Sequence, residues 1–199
     1  MKSIMYVIVA ILILGCNDSN EENFPEDTLS QEEINNLQFL KEEEKLARDV
    51  YLFSYDLYNQ QIFKNISNSE QSHINSAGVI MEKYDIEDLS LEERGEFTND
   101  ILQELYNDLT ELASTSLENA LIAGATIEDL DINDLNDFII NTNHDDIRDM
   151  YEKLNCGSRN HLRGFTNNLG NMGVSYDPQF LTIEEYNDIL NGSHEQCNN

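Results

Sequence analysis

The chain has 199 residues, of which 39 are Asp or Glu and 11 are Lys or Arg, so its formal net charge is −28 at pH 7. A chain this acidic repels phosphates, so we do not expect it to bind nucleic acid. Metal cations are its natural partners. With two prolines, few glycines and no long alternation of apolar and polar residues, the sequence predicts an all-α protein.

The N-terminus predicts a lipoprotein. An apolar run over residues 4–14 is too short to span a membrane as a mature helix, and it ends in Cys16 as a bacterial lipobox does. We predict a signal peptide over 1–15, lipidation of Cys16 and an acidic tether over 16–28. The lipid would attach the protein to a membrane of the cell envelope, periplasmic or surface-exposed. The alternative is an uncleaved anchor with an incidental cysteine.

Residues 29–199 are predicted to form one helical domain. Ser30 and Glu33 make a capping box at the start of the first helix. Apolar periodicity then predicts helices over 30–58, from 65 or 67 to 84, over 99–112, over 116–138, from 143 or 145 to 169, and a short one after 182. Gly124 and the cap-like Thr126 predict a break or kink in the 116–138 helix.

Four of these helices carry an apolar stripe that is interrupted by groups able to bind a metal. These groups are Glu44, Glu70 with His73, Glu128 and His161. A carboxylate or imidazole on a core-facing stripe is costly unless something pairs with it. Four helices that bring such groups together suggest a metal centre inside a bundle. Carboxylate and imidazole ligands suit iron or manganese, and zinc is not excluded.

Glu70 and His73 form the sharpest pair, because residues three apart lie on one helix face and can reach one metal. The competing interpretation is a buried ion pair. Glu43 replaces Glu44 if the first helix rolls, and both belong to an acidic run that can also be a solvated face. Glu128 would favour a helix N-terminus without any metal.

The fourth stripe is incomplete. His161 is either a ligand or a satisfied core histidine, and Ser158 stands where a second Glu-x-x-His motif would have its carboxylate. Asp131, which also competes with Glu128, or a water could fill that position. Arg48 and Arg163 are candidates for ion pairs that hold the ligands.

Tyr51 is a candidate to hydrogen-bond a ligand or guard the site. Two cysteines remain besides Cys16. In an oxidising compartment Cys156 and Cys197 either pair, fixing the C-terminal tail to the fourth core helix, or stay free.

Four sequence blocks, 42–51, 65–73, 124–132 and 157–165, resemble an uncharacterised family of bacterial and archaeal ferritin-like domains that is distantly similar to rubrerythrin. The resemblance covers about 29–190. It implies a ferritin-like four-helix bundle with an extra helix between core helices two and three and a short C-terminal helix.

Rubrerythrin-like proteins hold two irons and act on peroxide or dioxygen. The resemblance therefore implies that one or two iron or manganese ions bind to Glu44, Glu70, His73, Glu128 and His161. Ser158 departs from the pattern, and the absence of a Cys-rich rubredoxin-like module implies an external electron donor. The alternative function is a non-catalytic helical lipoprotein of the envelope with a buried polar network. The oligomeric state does not follow from the sequence.

Overall fold

The computed structural model describes residues 28–197, which form six α-helices and no strand. They are α1 (Gln31–Tyr58), α2 (Gln61–Lys83), α3 (Asp100–Thr115), α4 (Leu117–Asn141), α5 (Asp145–Asn171) and α6 (Ile183–Asn191). Within this part of the chain, none of the helices combines the length and apolarity needed to cross a bilayer. The predicted signal peptide, the lipidation site Cys16 and the tether up to residue 27 lie outside the described residues.

Local sequence explains how several helices begin. The Ser30 hydroxyl accepts a hydrogen bond from the Glu33 amide, and the Glu33 carboxylate accepts one from the Ser30 amide at 2.9 Å. Thr182 and Glu185 repeat this capping box at α6, and Ser116 caps α4. Each cap satisfies amides that the first turn leaves without an acceptor.

Two details of the helices differ from the predictions. The second helix begins at Gln61 rather than at 65 or 67, because Asn59 alone turns the chain with a left-handed φ of 50°. The break predicted near Gly124 does not occur, and Thr126 lies inside a continuous α4. Gly124 serves packing instead, because a Cβ built there would lie 2.5 Å from the Phe165 ring.

The helices pack as two pairs. α1 packs chiefly with α2, and α4 with α5, and the pairs meet along α1–α4 and α2–α5. α3 lies against α4 and α1, and the short α6 lies against α5. The four longest helices thus surround one interior, and α3 and α6 lie outside it.

A polar layer crosses this interior and separates two apolar clusters. One cluster includes Val50, Tyr51, Phe63, Ile66, Leu121, Leu162 and Phe165. The other includes Leu37, Leu40, Met81, Leu135, Tyr151 and Leu154. Burying one large apolar side chain stabilises the fold by about 1.5–3 kcal/mol, so the clusters hold the four helices around the layer between them.

Candidate metal centre

The polar layer contains the five side chains that the sequence marks as metal ligands. Glu44 comes from α1, Glu70 and His73 from α2, Glu128 from α4 and His161 from α5. Each lies about midway along its helix, between residues of the two apolar clusters. The site is therefore positioned by four separate helices.

Glu70 is the centre of the arrangement. Its Oε2 lies 2.8 Å from His73 Nδ1, and its Oε1 lies 2.9 Å from His161 Nδ1. His73 Nδ1 is also 3.2 Å from Glu44 Oε2, and His161 Nδ1 is 3.5 Å from Glu128 Oε2. The imidazole rings stack with their centroids 5.7 Å apart.

Two overlapping groups could each hold a metal ion. In the group Glu44–Glu70–His73 and in the group Glu70–Glu128–His161, one ligand atom from each residue lies within 4.8 Å of the others. Glu70 belongs to both groups and offers a different oxygen to each histidine. A carboxylate shared in this way can serve either position.

Several atoms at the site that could bind a metal ion have no hydrogen-bond partner among the described residues. Glu44 Oε1, Glu70 Oε1 and His161 Nδ1 are all buried and unpartnered. His161 Nδ1 and Glu70 Oε1 are close, but their angles do not form a hydrogen bond. Unsatisfied buried acceptors are destabilising, and a cation in either ligand group would give such atoms a partner, so the donor set fits a metal ion.

Burial and charge set the protonation of the cluster. Burial raises the pKa of Glu44 to about 7, although the adjacent His73 favours its ionised form. Burial also disfavours the charge on Glu70, but His161 and His73 outweigh it and hold the Glu70 pKa far below its usual range.

The two imidazoles are affected in the opposite direction. Burial favours their neutral forms, yet the adjacent carboxylates raise the pKa of His73 well above 6.5 and that of His161 to about 10. At neutral pH, Glu70 is therefore ionised between two imidazolium rings when no metal is bound.

Neighbouring hydroxyls fix the ligands in place. The Tyr51 hydroxyl donates to Glu128 Oε1 at 2.5 Å, and Ser69 Oγ lies 3.0 Å from His161 Nε2. A partner on the second ring nitrogen orients an imidazole for binding through the first. Ser69 was not among the sequence candidates, although it directly precedes Glu70.

A carboxylate lies beside Ser158, although the serine itself supplies none. Its hydroxyl donates to Asp131 Oδ2 at 2.5 Å, so a carboxylate from α4 lies beside the place where α5 lacks one. Asp131 Oδ1 and both carboxylate oxygens of Glu43 are buried and have no hydrogen-bond partner within residues 28–197. Burial, and then the surrounding acidic groups, raise the pKa of both carboxyls well above their usual range.

The two arginines predicted to hold the ligands make other contacts. Arg48 donates to Asp49 and to Gln71. Arg163 donates to the Ile189 carbonyl and to the Glu195 carboxylate, at 2.7 Å each. Arg48 thus links α1 to α2, whereas Arg163 holds the C-terminal segment.

This C-terminal segment, His194–Cys197, is called the strap below. A disulfide with a Cα–Cα distance of 5.6 Å joins Cys197 to Cys156 on α5. Arg159 and Arg163 both pair with Glu195, and chiefly the Arg159 contact lowers the pKa of Glu195 to about 2. The strap therefore lies along α5 beside the polar layer.

The fold and the site define a class of protein: helical proteins whose buried acidic and histidine residues could hold a metal ion. Within that class, the chain belongs to the family described as an uncharacterised protein domain (DUF2202), whose model matches residues 33–193.

An archaeal relative is also similar over nearly its whole length. The uncharacterised protein MJ0754 of Methanocaldococcus jannaschii is 46% identical over 175 residues, which are 87% of this chain and 95% of that protein. A solved structure, the crystal structure of hypothetical protein MJ0754 from Methanococcus jannaschii DSM 2661, matches with a TM-score of 0.83. That match has 46% identity and covers 86% of this chain and 99% of the other. Neither name states an activity.

Proposed function

We propose that this chain is a lipid-anchored, ferritin-like protein of the cell envelope that binds iron or manganese in its polar layer. The observation that carries the proposal is Glu70, whose two oxygens face one histidine each in two overlapping ligand groups. Two ligand groups that share a carboxylate between four helices support the likeness to ferritin-like and rubrerythrin-like proteins.

The five residues of the layer would hold one or two ions. When bound, iron or manganese would supply redox chemistry toward peroxide or dioxygen, with electrons from an external donor. The chain's own groups would manage protons and water. Glu44, with a pKa of about 7, can hold or release a proton at neutral pH, and the apolar clusters above and below the layer exclude bulk water from those two directions.

One observation favours a second candidate function. Glu70 pairs with both histidines, so the layer has a charge-paired arrangement without metal. In that case the protein is a non-catalytic envelope lipoprotein whose bundle is built around a buried polar network. The two candidates differ in metal content, and only the first predicts that a chelator destabilises the protein.

Elemental analysis of the mature protein, purified without a metal-binding tag and incubated with ferrous iron, tests the proposal. We expect one or two equivalents of metal in the wild type, and about 10- to 100-fold weaker binding after Glu70→Gln. Glu82→Gln is the matched control, because Glu82 is an exposed glutamate on the same helix, and it should bind as the wild type does. Less than about a tenth of an equivalent in the reconstituted wild type would refute metal binding.

The anchoring part of the proposal has its own test. Cys16→Ser removes the only thiol available for lipidation at the end of the apolar run. We expect the wild type to sediment with membranes and the variant to remain in the soluble fraction, if the leader is still processed by general signal peptidase. Equal partitioning of both proteins, with mass spectrometry showing the leader removed from each, would contradict lipid anchoring.

A further inference from the structure

The candidate centre is open toward solvent on its histidine side. The side chains of His73 and His161 are 11% and 12% exposed, whereas those of Glu44, Glu70 and Glu128 are 2% exposed. A cavity of about 500 Å³ lies against both histidines, between α2 and α5. Three other cavities along α5 have no residue of the centre in their lining.

Three elements form this cavity, which we call the chamber. α2 contributes Ser69, Ser72 and Ser76, α5 contributes Lys153, Gly157 and Asn160, and the strap forms the remaining wall. Gly157 allows the His73 ring to approach α5 closely at the inner end of the chamber, because a Cβ built there would lie 2.8 Å from His73 Nε2. A glycine inside a helix lowers stability by about 1 kcal/mol relative to alanine, so the close contact between Gly157 and His73 is kept at a measurable cost in stability.

The contacts of the strap place it over the chamber while attaching it to α5. Its disulfide runs to Cys156, its Glu195 pairs with Arg159 and Arg163, and its backbone amide at 195 donates to Asn160 Oδ1 at 2.9 Å. All of these partners lie on one helix. Because these contacts run to α5 and none of them to α2, the strap can separate from α2 without unfolding either helix.

We propose that the chamber is the entry site for a hydrated divalent cation, and that the disulfide-held strap limits the rate at which the cation reaches the histidines. This inference rests on the proposed metal-binding function. Six waters at about 30 Å³ each occupy about 180 Å³, so the chamber holds a hydrated ion with space to spare. The serine hydroxyls of α2 are oxygen acceptors that can take over water contacts as the ion moves inward.

Stopped-flow uptake of Co²⁺ by the metal-free mature protein tests the inference, because the absorption of bound Co²⁺ reports both rate and final occupancy. Cys156→Ser with Cys197→Ser removes the covalent link of the strap, leaves only its ion pairs and hydrogen bonds to α5, and should speed uptake by about fivefold or more at unchanged occupancy. Ser72→Phe narrows the chamber and should slow uptake by about the same factor. Ser72 is exposed and bonds only to a carbonyl of its own helix, so the substitution leaves the centre intact.

Two controls separate entry from general loosening. Ser114→Phe places the same side chain at another exposed serine that bonds its own helix, on α3, and should leave the rate unchanged. Glu33→Gln disturbs a buried carboxylate that accepts hydrogen bonds from Ser30 and Thr142, away from the chamber and from the five ligands. If it speeds uptake as much as the cysteine variant does, the strap has no specific role.

The outcomes also distinguish this inference from the proposed function. If the wild type reaches full Co²⁺ occupancy but Ser72→Phe leaves the rate unchanged, metal binding stands and the entry site is refuted. If the wild type binds no Co²⁺ and no iron, both are refuted. The Ser72→Phe result decides the question even if the cysteine variant fails to fold.

Discussion

Metal binding should expel protons from this site, and the number of protons follows from the structure. Without metal, His73 and His161 are both protonated at neutral pH, because the carboxylates around them raise their pKa values. A metal ion needs the nitrogen lone pair that the proton occupies, so both protons must leave. Glu44, with a pKa of about 7, loses a further fraction of a proton.

The magnitude is large enough to measure. Deprotonating His161, whose pKa is raised to about 10, costs about 4 kcal/mol at pH 7, at 1.36 kcal/mol per pH unit. Two histidine protons and part of one from Glu44 give a release of between two and three protons per binding event at pH 7. Apparent affinity should then rise roughly hundredfold or more for each pH unit between 6 and 8, at about tenfold per proton.

Calorimetric titration of the metal-free protein with metal, in two buffers of different ionisation enthalpy at one pH, counts the released protons. His161→Gln should release about one proton fewer, since the amide carries none, and should bind more weakly. Glu70→Gln removes the carboxylate that raises the pKa of both histidines, so it should also reduce the count. Release of fewer than one proton by the wild type at pH 7 would refute the charge state assigned to the cluster.

Three further predictions concern single residues. Hydrogen bonds from His144, Ser30 and Thr142 outweigh burial and lower the pKa of Glu33 to about 2. The stability that the ionised Glu33 carboxylate contributes is therefore present above pH 4.5 and is lost as pH falls toward 2. Glu33→Gln should therefore lower the melting temperature at pH 7 but not near pH 2; an equal loss at both would contradict this. Gly124→Ala should cost about 1–3 kcal/mol in urea unfolding, because the added methyl meets an aromatic ring; a stabilised variant would contradict it. Tyr51→Phe removes the hydrogen bond to a buried ligand and should weaken metal binding at least about tenfold, whereas unchanged affinity would show that the bond is dispensable.

The main helices follow from apolar periodicity because their stripes face one interior. A capping box at Ser30 and another at Thr182 are local signals, and the structure starts helices at both. Gly124 resembles a helix-end signal because glycine more often marks a helix end than a close approach of a ring from another helix. That approach involves Phe165, which is 41 positions away in the chain, so no local pattern reports it.

Some features of the candidate site can likewise be predicted from local sequence, whereas others depend on how the helices meet. Spacing on a single helix identifies Glu70 with His73, and position on a stripe identifies the residues from other helices. The sharing of Glu70 between two histidines depends on how α2 and α5 meet, and spacing cannot reveal it. The role of Gly157 had a local signal, a glycine inside a helix, whereas the contacts of Arg163 with the C-terminal segment required the fold.

The energetics of the polar layer favour a function beyond holding the bundle together. Taking an ion out of water costs several kcal/mol even after the protein relaxes, and replacing buried ion pairs with apolar side chains is often neutral or stabilising. Here the layer lies between two apolar clusters that could otherwise be continuous. It also contains donor atoms without partners and carboxyls whose pKa values burial raises. A network selected for stability alone would satisfy those atoms, whereas a site that alternates between protons and a metal ion needs them free.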